Sequence, residues 1–265
     1  MRIYKDRAVF SSDKKVEFYP KFGDSLLYEH HTTSLVFNDA PLHTRVRKAI
    51  AGALSPRAIA GMDVVVAQLV NRLLDEMSAR QADDKPVDAV ADFAQNIPIE
   101  VIGNLLAIPR AERDPLREWS LAILGALEPE INDAQFDAGE AAVRDFLAYL
   151  QALVARRQAE GVEDAGDIMA RLIRETGAAG EDANLLPHEL LQNCIFILNA
   201  GHETTTNLIC SGIWLLSQLP DTVAVLNADT SSWPAAIEEV LRMESPNQLG
   251  NRRAVAGFEM GDRHW

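Results

Sequence analysis

One stretch limits the fold more than any other: the apolar run from Leu185-Leu186-Pro187 to Leu219-Pro220. Its residues follow helical spacing, and about 30 of them at 1.5 Å rise make a rod roughly 45 Å long. The flanks are apolar nearly all the way round, which predicts a helix buried in the middle of a protein. Only the centre is polar: Ala200-Gly201-His202-Glu203-Thr204-Thr205. Gln192, Asn193, His202, Glu203 and Ser211 interrupt the run too often for a membrane span, which needs about 20 predominantly apolar residues.

The rest of the chain reads as mainly helical with a small, incomplete β contribution. His43 to Leu54 fits a helix ended by Ser55-Pro56. Pro56 then opens a second helix with Ile59, Met62, Val65, Val66, Leu69, Leu73 and Met77 on one face. Further amphipathic patterns cover Ile97 to Ile108, Pro115 to Leu127, Ala134 to Ala159, Asp164 to Glu175 and Ala235 to Met243. The first forty residues carry weak periodicity, with turn signals at Pro20, Gly23-Asp24 and Asn38 to Pro41. Val255 to Met260 fits a strand with no evident partner after it. No repeat, low-complexity tract or linker divides the 265 residues, so a single domain over 1–265 is expected.

Composition narrows the function. With 25 Lys and Arg against 39 Asp and Glu, the net charge of −14 argues against a general nucleic-acid or anionic-membrane binder. Cys194 and Cys210 cannot form a disulfide framework, which fits a reducing, cytoplasmic compartment. No charged-then-apolar leader opens the sequence, so no secretory signal is expected.

Three constellations carry chemistry. Gly201 costs about 1 kcal/mol against alanine inside a helix, so its place in the long rod suggests a close approach to the backbone there. Thr204 can bond back to the Ala200 carbonyl, and Glu203 is expensive in a buried rod unless hydrogen-bonded or functional. The plainer reading is a polar kink that only packs. Glu239 and Arg242, three apart on one helix face, can close a bidentate fork, or form an ordinary exposed pair. His43 and Arg47 share a face in Pro41 to Arg47, and with Arg45 and Lys48 they make a basic patch suited to a small anion, or merely a solvated face.

Other signals fail on spacing. The second histidine of a zinc-protease helix would fall at Thr206. Gly23-Asp24-Ser25-Leu26 has the look of an esterase nucleophile block but lacks suitably spaced partners, Asp262 to His264 being one residue too tight. No phosphate-binding loop, dinucleotide fingerprint or paired Cys-x-x-Cys is present.

In their order and separations, these motifs together resemble a cytochrome P450 of the soluble bacterial type, over nearly the whole chain. Pro41 to Ile59 resembles the family's helix C, Ala200 to Thr205 the oxygen-binding groove of helix I, Glu239 to Arg242 the E-x-x-R pair of helix K, and Arg252 the arginine that follows it. The resemblance implies haem as cofactor. His43, Arg47 and Arg252 would pair with its propionates, and Gly201 would let haem and dioxygen approach. Glu203 and Thr204 would deliver protons, and Glu239 with Arg242 would be a structural pair. It also implies a small apolar substrate, terpenoid-like as in rhizobial members, with electrons from a ferredoxin or reductase.

The family's axial cysteine lies in a Phe-x-x-Gly-x-x-x-Cys-x-Gly loop downstream of helix K, a pattern this sequence does not contain. Cys194 and Cys210 fall on helix I instead and read as core residues. The expectation is therefore a truncated, catalytically inactive chain, in the manner of a pseudogene product, with no metal ligand of its own and a doubtful hold on haem. Loss of the elements that cover helices I and K is expected to leave apolar surface exposed. The alternative is a non-enzymatic helical remnant that binds an apolar ligand or a partner protein.

Overall fold

The computed structural model describes residues 2–54, 56, 59–82, 84–162, 167–177 and 185–265. It is mainly α, as expected. The chain forms α1 (Arg2–Lys5), β1 (Phe10–Ser11), α2 (Lys15–Phe22), α3 (Leu26–Thr33), α4 (Leu42–Ala53), α5 (Met62–Ala82), α6 (Asn96–Leu105), α7 (Leu116–Gly125), α8 (Asp133–Glu160) and α9 (Ile168–Arg174). These are followed by α10 (Pro187–Ser217), α11 (Pro220–Ala228), α12 (Trp233–Met243), β2 (Arg253–Ala254), β3 (Glu259–Met260) and β4 (Arg263–His264). The backbone divides into two compact units. The first takes residues 1–60, 105–199 and 250–265; the second takes 61–104 and 200–249.

In the first unit, α7 and α8 pack around Leu116, Ile123, Val143, Phe146 and Leu150, all fully buried. Gly139 on α8 allows this closeness, because an added Cβ would stand 2.9 Å from the Ala126 Cβ. The start of α3 is capped twice. Ser25 Oγ accepts from Tyr28 N, and the Glu140 carboxylate on α8 accepts from the amides of Leu26 and Leu27 at 3.1 and 3.0 Å. Ser25, the centre of the esterase-like signal, is thus a helix cap.

The first half of α10 buries Leu190, Cys194, Ile195 and Leu198 in this unit. Its buried polar residues are tied to distant backbone and side chains. Asn193 Oδ1 accepts from Leu35 N at 3.0 Å, and Gln192 Oε1 meets His30 Nδ1 at 2.9 Å. Two antiparallel ladders complete the unit. Phe10 pairs with Ala254 and Ser11 with Arg253, while Glu259 pairs with His264 and Met260 with Arg263.

The second unit centres on Leu69 and Leu73 of α5 and Ile97 of α6, packed with Val70, Phe93, Val101 and Ile209. A π-helical turn at Ala89–Ala94 is capped by the Asp88 carboxylate, which accepts from the amides of Val90 and Ala91. Among the described residues, no single helix is long and apolar enough to cross a membrane.

Several sequence expectations are corrected. Pro20 lies inside α2 rather than at a turn. The helix expected from Pro56 starts only at Met62, after Gly61 at φ 87°, and Ile59 is exposed; Ser55, Arg57 and Ala58 lie outside the described residues. The helix expected from Asp164 starts at Ile168, and Asp164 itself is outside the described residues. The C-terminal strand does find a partner after it, because Gly261 at φ 61° closes a two-residue turn into β4. Pro220 ends the long rod and also opens α11. The rod is not buried throughout: past Thr206 it turns outward, with Ile213 42% and Trp214 59% exposed.

Candidate functional site

Within the first unit, three distant segments build a cationic cavity of about 390 Å³. The β1–β2 ladder brings the chain around Arg252 beside the N-terminal segment. There the Arg252 guanidinium lies over the Tyr4 ring, 4.9 Å from its centroid. A Cβ at position 250 would collide with Tyr4 Oη, so Gly250 permits this approach. The turn before α4 is held by Asn38, whose amide donates to the carbonyls of Thr32 and Ser34 at 2.8 Å each. That turn aims His43 and Arg47, one helical turn apart, into the same cavity as Tyr4, Arg7, Asp39 and Arg252.

The electrostatics follow from this crowding. Burial and the nearby Arg47 and Arg7 guanidiniums push His43 below the usual imidazole range, against the opposing pull of Asp39. Asp39 goes the same way for a different reason. Burial alone would raise it, but hydrogen bonds from Ser11, Ser12 and Asp13 and the charge of Arg252 outweigh that and hold it low.

The expected basic patch is therefore half right. Arg47 lines the cavity, but Arg45 turns away and closes a fork on Glu189 of α10, with Nη1–Oε2 at 2.5 Å and Nη2–Oε1 at 2.6 Å. Glu189 is buried and also accepts from Leu186 N at 2.8 Å, which caps α10. Tyr4, Arg7 and Asp39 were not singled out from sequence. Nothing local marks the first two, because only strand pairing across some 240 residues brings them to α4 and Arg252. The turn signal at Asn38 to Pro41 did mark the neighbourhood of Asp39.

In the second unit, α10 carries the polar notch. Thr204 Oγ1 donates to the Ala200 carbonyl at 2.9 Å, the back-bond its position suggests. Ala200 and Glu203 are exposed and Thr204 is half-buried, so the three share one open face of the helix. Gly201 faces elsewhere: an added Cβ would stand 2.7 Å from Ile102 Cδ1, so the close approach it allows in this structure is that of α6. Glu239 and Arg242 form their fork, Nε–Oε2 at 2.7 Å and Nη2–Oε1 at 2.6 Å, with both side chains more than half exposed.

Guanidiniums are planar double donors matched to carboxylates, so the cavity suits the two carboxylate arms of a haem. Among the described residues, no group of three or more His, Cys, Asp or Glu is placed to hold a free metal ion.

No family model matches the chain. Individual relatives do. Cytochrome P450 107B1 of Saccharopolyspora erythraea is 32% identical over 252 residues, covering 95% of this chain and 56% of the relative. The 6-deoxyerythronolide B hydroxylase of the same organism is 33% identical over 232 residues, covering 88% and 54%. Among solved structures, CalO2 matches with a TM-score of 0.88 at 25% identity, over 99% of this chain and 63% of that one. P450BioI, in complex with an acyl carrier protein ligated to hexadec-9Z-enoic acid, matches with 0.85 at 25% identity, over 97% and 64%. The chain spans somewhat more than half the length of the curated relatives it matches. Sequence and fold agree: this chain is a homologue of the bacterial cytochrome P450s.

Proposed function

We propose that this chain contributes the oxygen-side helix and the carboxylate-gripping cleft of a haem-dependent monooxygenase acting on a small apolar organic molecule. The observation that carries this reading is the meeting of His43 and Arg47 with Arg252, remote from them in sequence, in one cavity. Bound haem supplies a redox-active iron at which dioxygen is activated. Arg47 and Arg252 would hold its carboxylates by paired N–H donors, with His43 as a third partner. On α10, the Ala200 carbonyl holds the Thr204 hydroxyl proton and leaves the oxygen's lone pairs able to accept from a neighbour. Glu203, exposed one residue away, can exchange a proton with water and pass it along that face. Gly201 would allow the close approach that such a cofactor needs once the Ile102 side chain, which fills that space in this structure, moves aside. Glu239 and Arg242 would be a structural pair in the whole enzyme, while within these residues the exposed fork fastens only its own helix turn.

The two cysteines of this sequence do not suit the role of axial thiolate. Burial pushes Cys194 up to about 12, and burial with the charge of Asp88 raises Cys210. These 265 residues alone are therefore expected to lack turnover. We extend the same reading to a single P450-like domain, since both units are built from discontinuous stretches and α10 runs from one into the other. Electrons would come from a ferredoxin or reductase in the cytoplasm. The acyl chain named with P450BioI supports an apolar substrate class. The second reading, a non-enzymatic helical binder of an apolar ligand or partner, draws on exposed Ile213, Trp214, Val225 and Ile237 in the second unit.

Haemin titration tests the proposal. The expected result is a saturable absorbance change that weakens about tenfold or more in Arg47→Ala with Arg252→Ala, and a reduced carbon monoxide spectrum without a thiolate-type band. Equal binding by the wild type and the double variant would overturn it.

A further inference from the structure

The cationic cavity contains one carboxylate that the carboxylate-gripping role does not call for. Asp39 lines it together with Arg7, Arg47, Arg252 and His43. Its two oxygens are tethered to the N-terminal segment: Oδ2 accepts from Ser11 Oγ at 2.5 Å and Oδ1 from Ser12 N at 3.0 Å. Ser11 is the β1 residue that pairs with Arg253, next to Arg252. The backbone of Asp39 is engaged as well, its carbonyl accepting from His43 N at 3.0 Å at the entry to α4. Asp39 thus ties the N-terminal segment to the α4 turn, and its charge faces that of Arg252, so it acts on all three pieces of chain that make the cavity.

Three guanidiniums around one cavity repel one another, though solvent screens the exposed Arg7 and Arg47, and a nearby anion offsets that repulsion when no ligand is bound. With His43 neutral, three cations against one carboxylate leave two positive charges. We propose that Asp39 is the built-in counter-anion of this cavity, a positioning residue that holds its cations together when it is empty and opposes any dianion that enters. The proposal rests on the reading of the cavity as a carboxylate-gripping cleft, and it adds a residue whose charge weakens that grip while its hydrogen bonds shape it.

The two candidate roles of Asp39 predict opposite signs. A residue that only shapes the cavity loses anion affinity when altered. A counter-anion gains it when its charge alone is removed. Asp39→Asn keeps the size and can still accept from Ser12 N through Oδ1, with its Nδ2–H donating to Ser11 Oγ instead of a carboxylate oxygen accepting from it, but removes the charge. Calorimetric titration of the whole chain with inorganic pyrophosphate at low ionic strength should show Asp39→Asn binding about threefold tighter than wild type, the modest size reflecting screening at a partly exposed site. Asp39→Glu, which keeps the charge and disturbs the tether, should bind no tighter than wild type. His43, followed by imidazole NMR, should titrate lower in Asp39→Asn, because the one group pulling it upward is gone.

Equal or weaker pyrophosphate binding by Asp39→Asn, or no binding by the wild type, would overturn the proposal. If Asp39→Asn does not fold by circular dichroism, the smaller neutral Asp39→Ser carries the same comparison with the same expected sign. Protoporphyrin IX and its dimethyl ester separate this idea from the functional reading. Equal binding of diacid and diester, beside a tighter pyrophosphate complex in Asp39→Asn, would sink the haem assignment and leave the counter-anion standing.

Discussion

Two forks of the same chemistry sit in opposite surroundings. Arg45 and Glu189 meet across 144 residues, with the Glu189 side chain 3% exposed. Glu239 and Arg242 meet across three residues, with side chains 55% and 68% exposed. Bond lengths barely differ, yet the forks answer to different physics. The exposed pair sits in water and salt, which screen it, and local helix geometry alone brings it together. The Arg45–Glu189 pair depends on tertiary packing, and the buried Glu189 carboxylate would be costly without it. Geometry by itself does not rank ion pairs; burial and the length of chain they bridge do.

The largest break of this comparison is Glu189→Gln. It removes the charge from the buried end of the fork and weakens the α10 cap at Leu186, so stability should fall by about 3 kcal/mol in denaturant unfolding. A loss under 1 kcal/mol would show that the buried fork is no more consequential than the exposed one.

Acid provides the next test, through buried ionisable groups that have no counter-charge. His30 and His31 are each 2% exposed, and their rings stand 5.0 Å apart. Phe18, Phe22 and Phe37 surround His31, and its Nε2 is a buried atom without a hydrogen-bond partner. Burial lowers His30 to about 4, partly offset by its bond to Gln192; burial, His30 and Lys21 push His31 well below 6.5. A group depressed in the folded state stabilises fully above its unfolded value and loses that stability as pH falls. Unfolding free energy should therefore drop between pH 6.5 and about 4, by on the order of 3 kcal/mol for His30 alone. His30→Gln should flatten that part of the pH profile, and an unchanged slope would contradict the burial of this imidazole.

Gly201→Ala comes third. It gains about 1 kcal/mol of helix propensity but overpacks Ile102 by a typical 1–3 kcal/mol, so a net loss near 1 kcal/mol is expected. Ile102→Val in the same background should recover most of it in thermal melts. Glu239→Gln is last: its melting temperature should match the wild type. A clear loss would mean that the exposed fork holds something beyond its own helix.

What could be read from residue order was whatever repeats within a few turns of helix. The long rod, its polar notch, the Thr204 back-bond and the Glu239–Arg242 fork all have i to i+4 geometry, so spacing was enough. Reading failed where a distant group decided. The α3 start depends on Glu140 of α8, and Pro20 is tolerated near the end of a short helix that sequence periodicity did not mark. At Gly261-Asp262 the hairpin signal was local and legible, but it was missed because the strands it joins are two residues each. The family motifs marked His43, Arg47 and Arg252 as a set; they did not reveal Tyr4, Arg7 or Asp39 beside them.

Residue order alone thus determined a helical protein with a notched central rod, because periodic burial is written along the chain itself. Only the tertiary structure decided which of the neighbouring arginines turns inward to Glu189 and which opens into a cationic cavity. It alone drew residues as far apart as Tyr4 and Arg252 into that cavity, since strand pairing and burial act between parts of the chain that no short-range pattern connects.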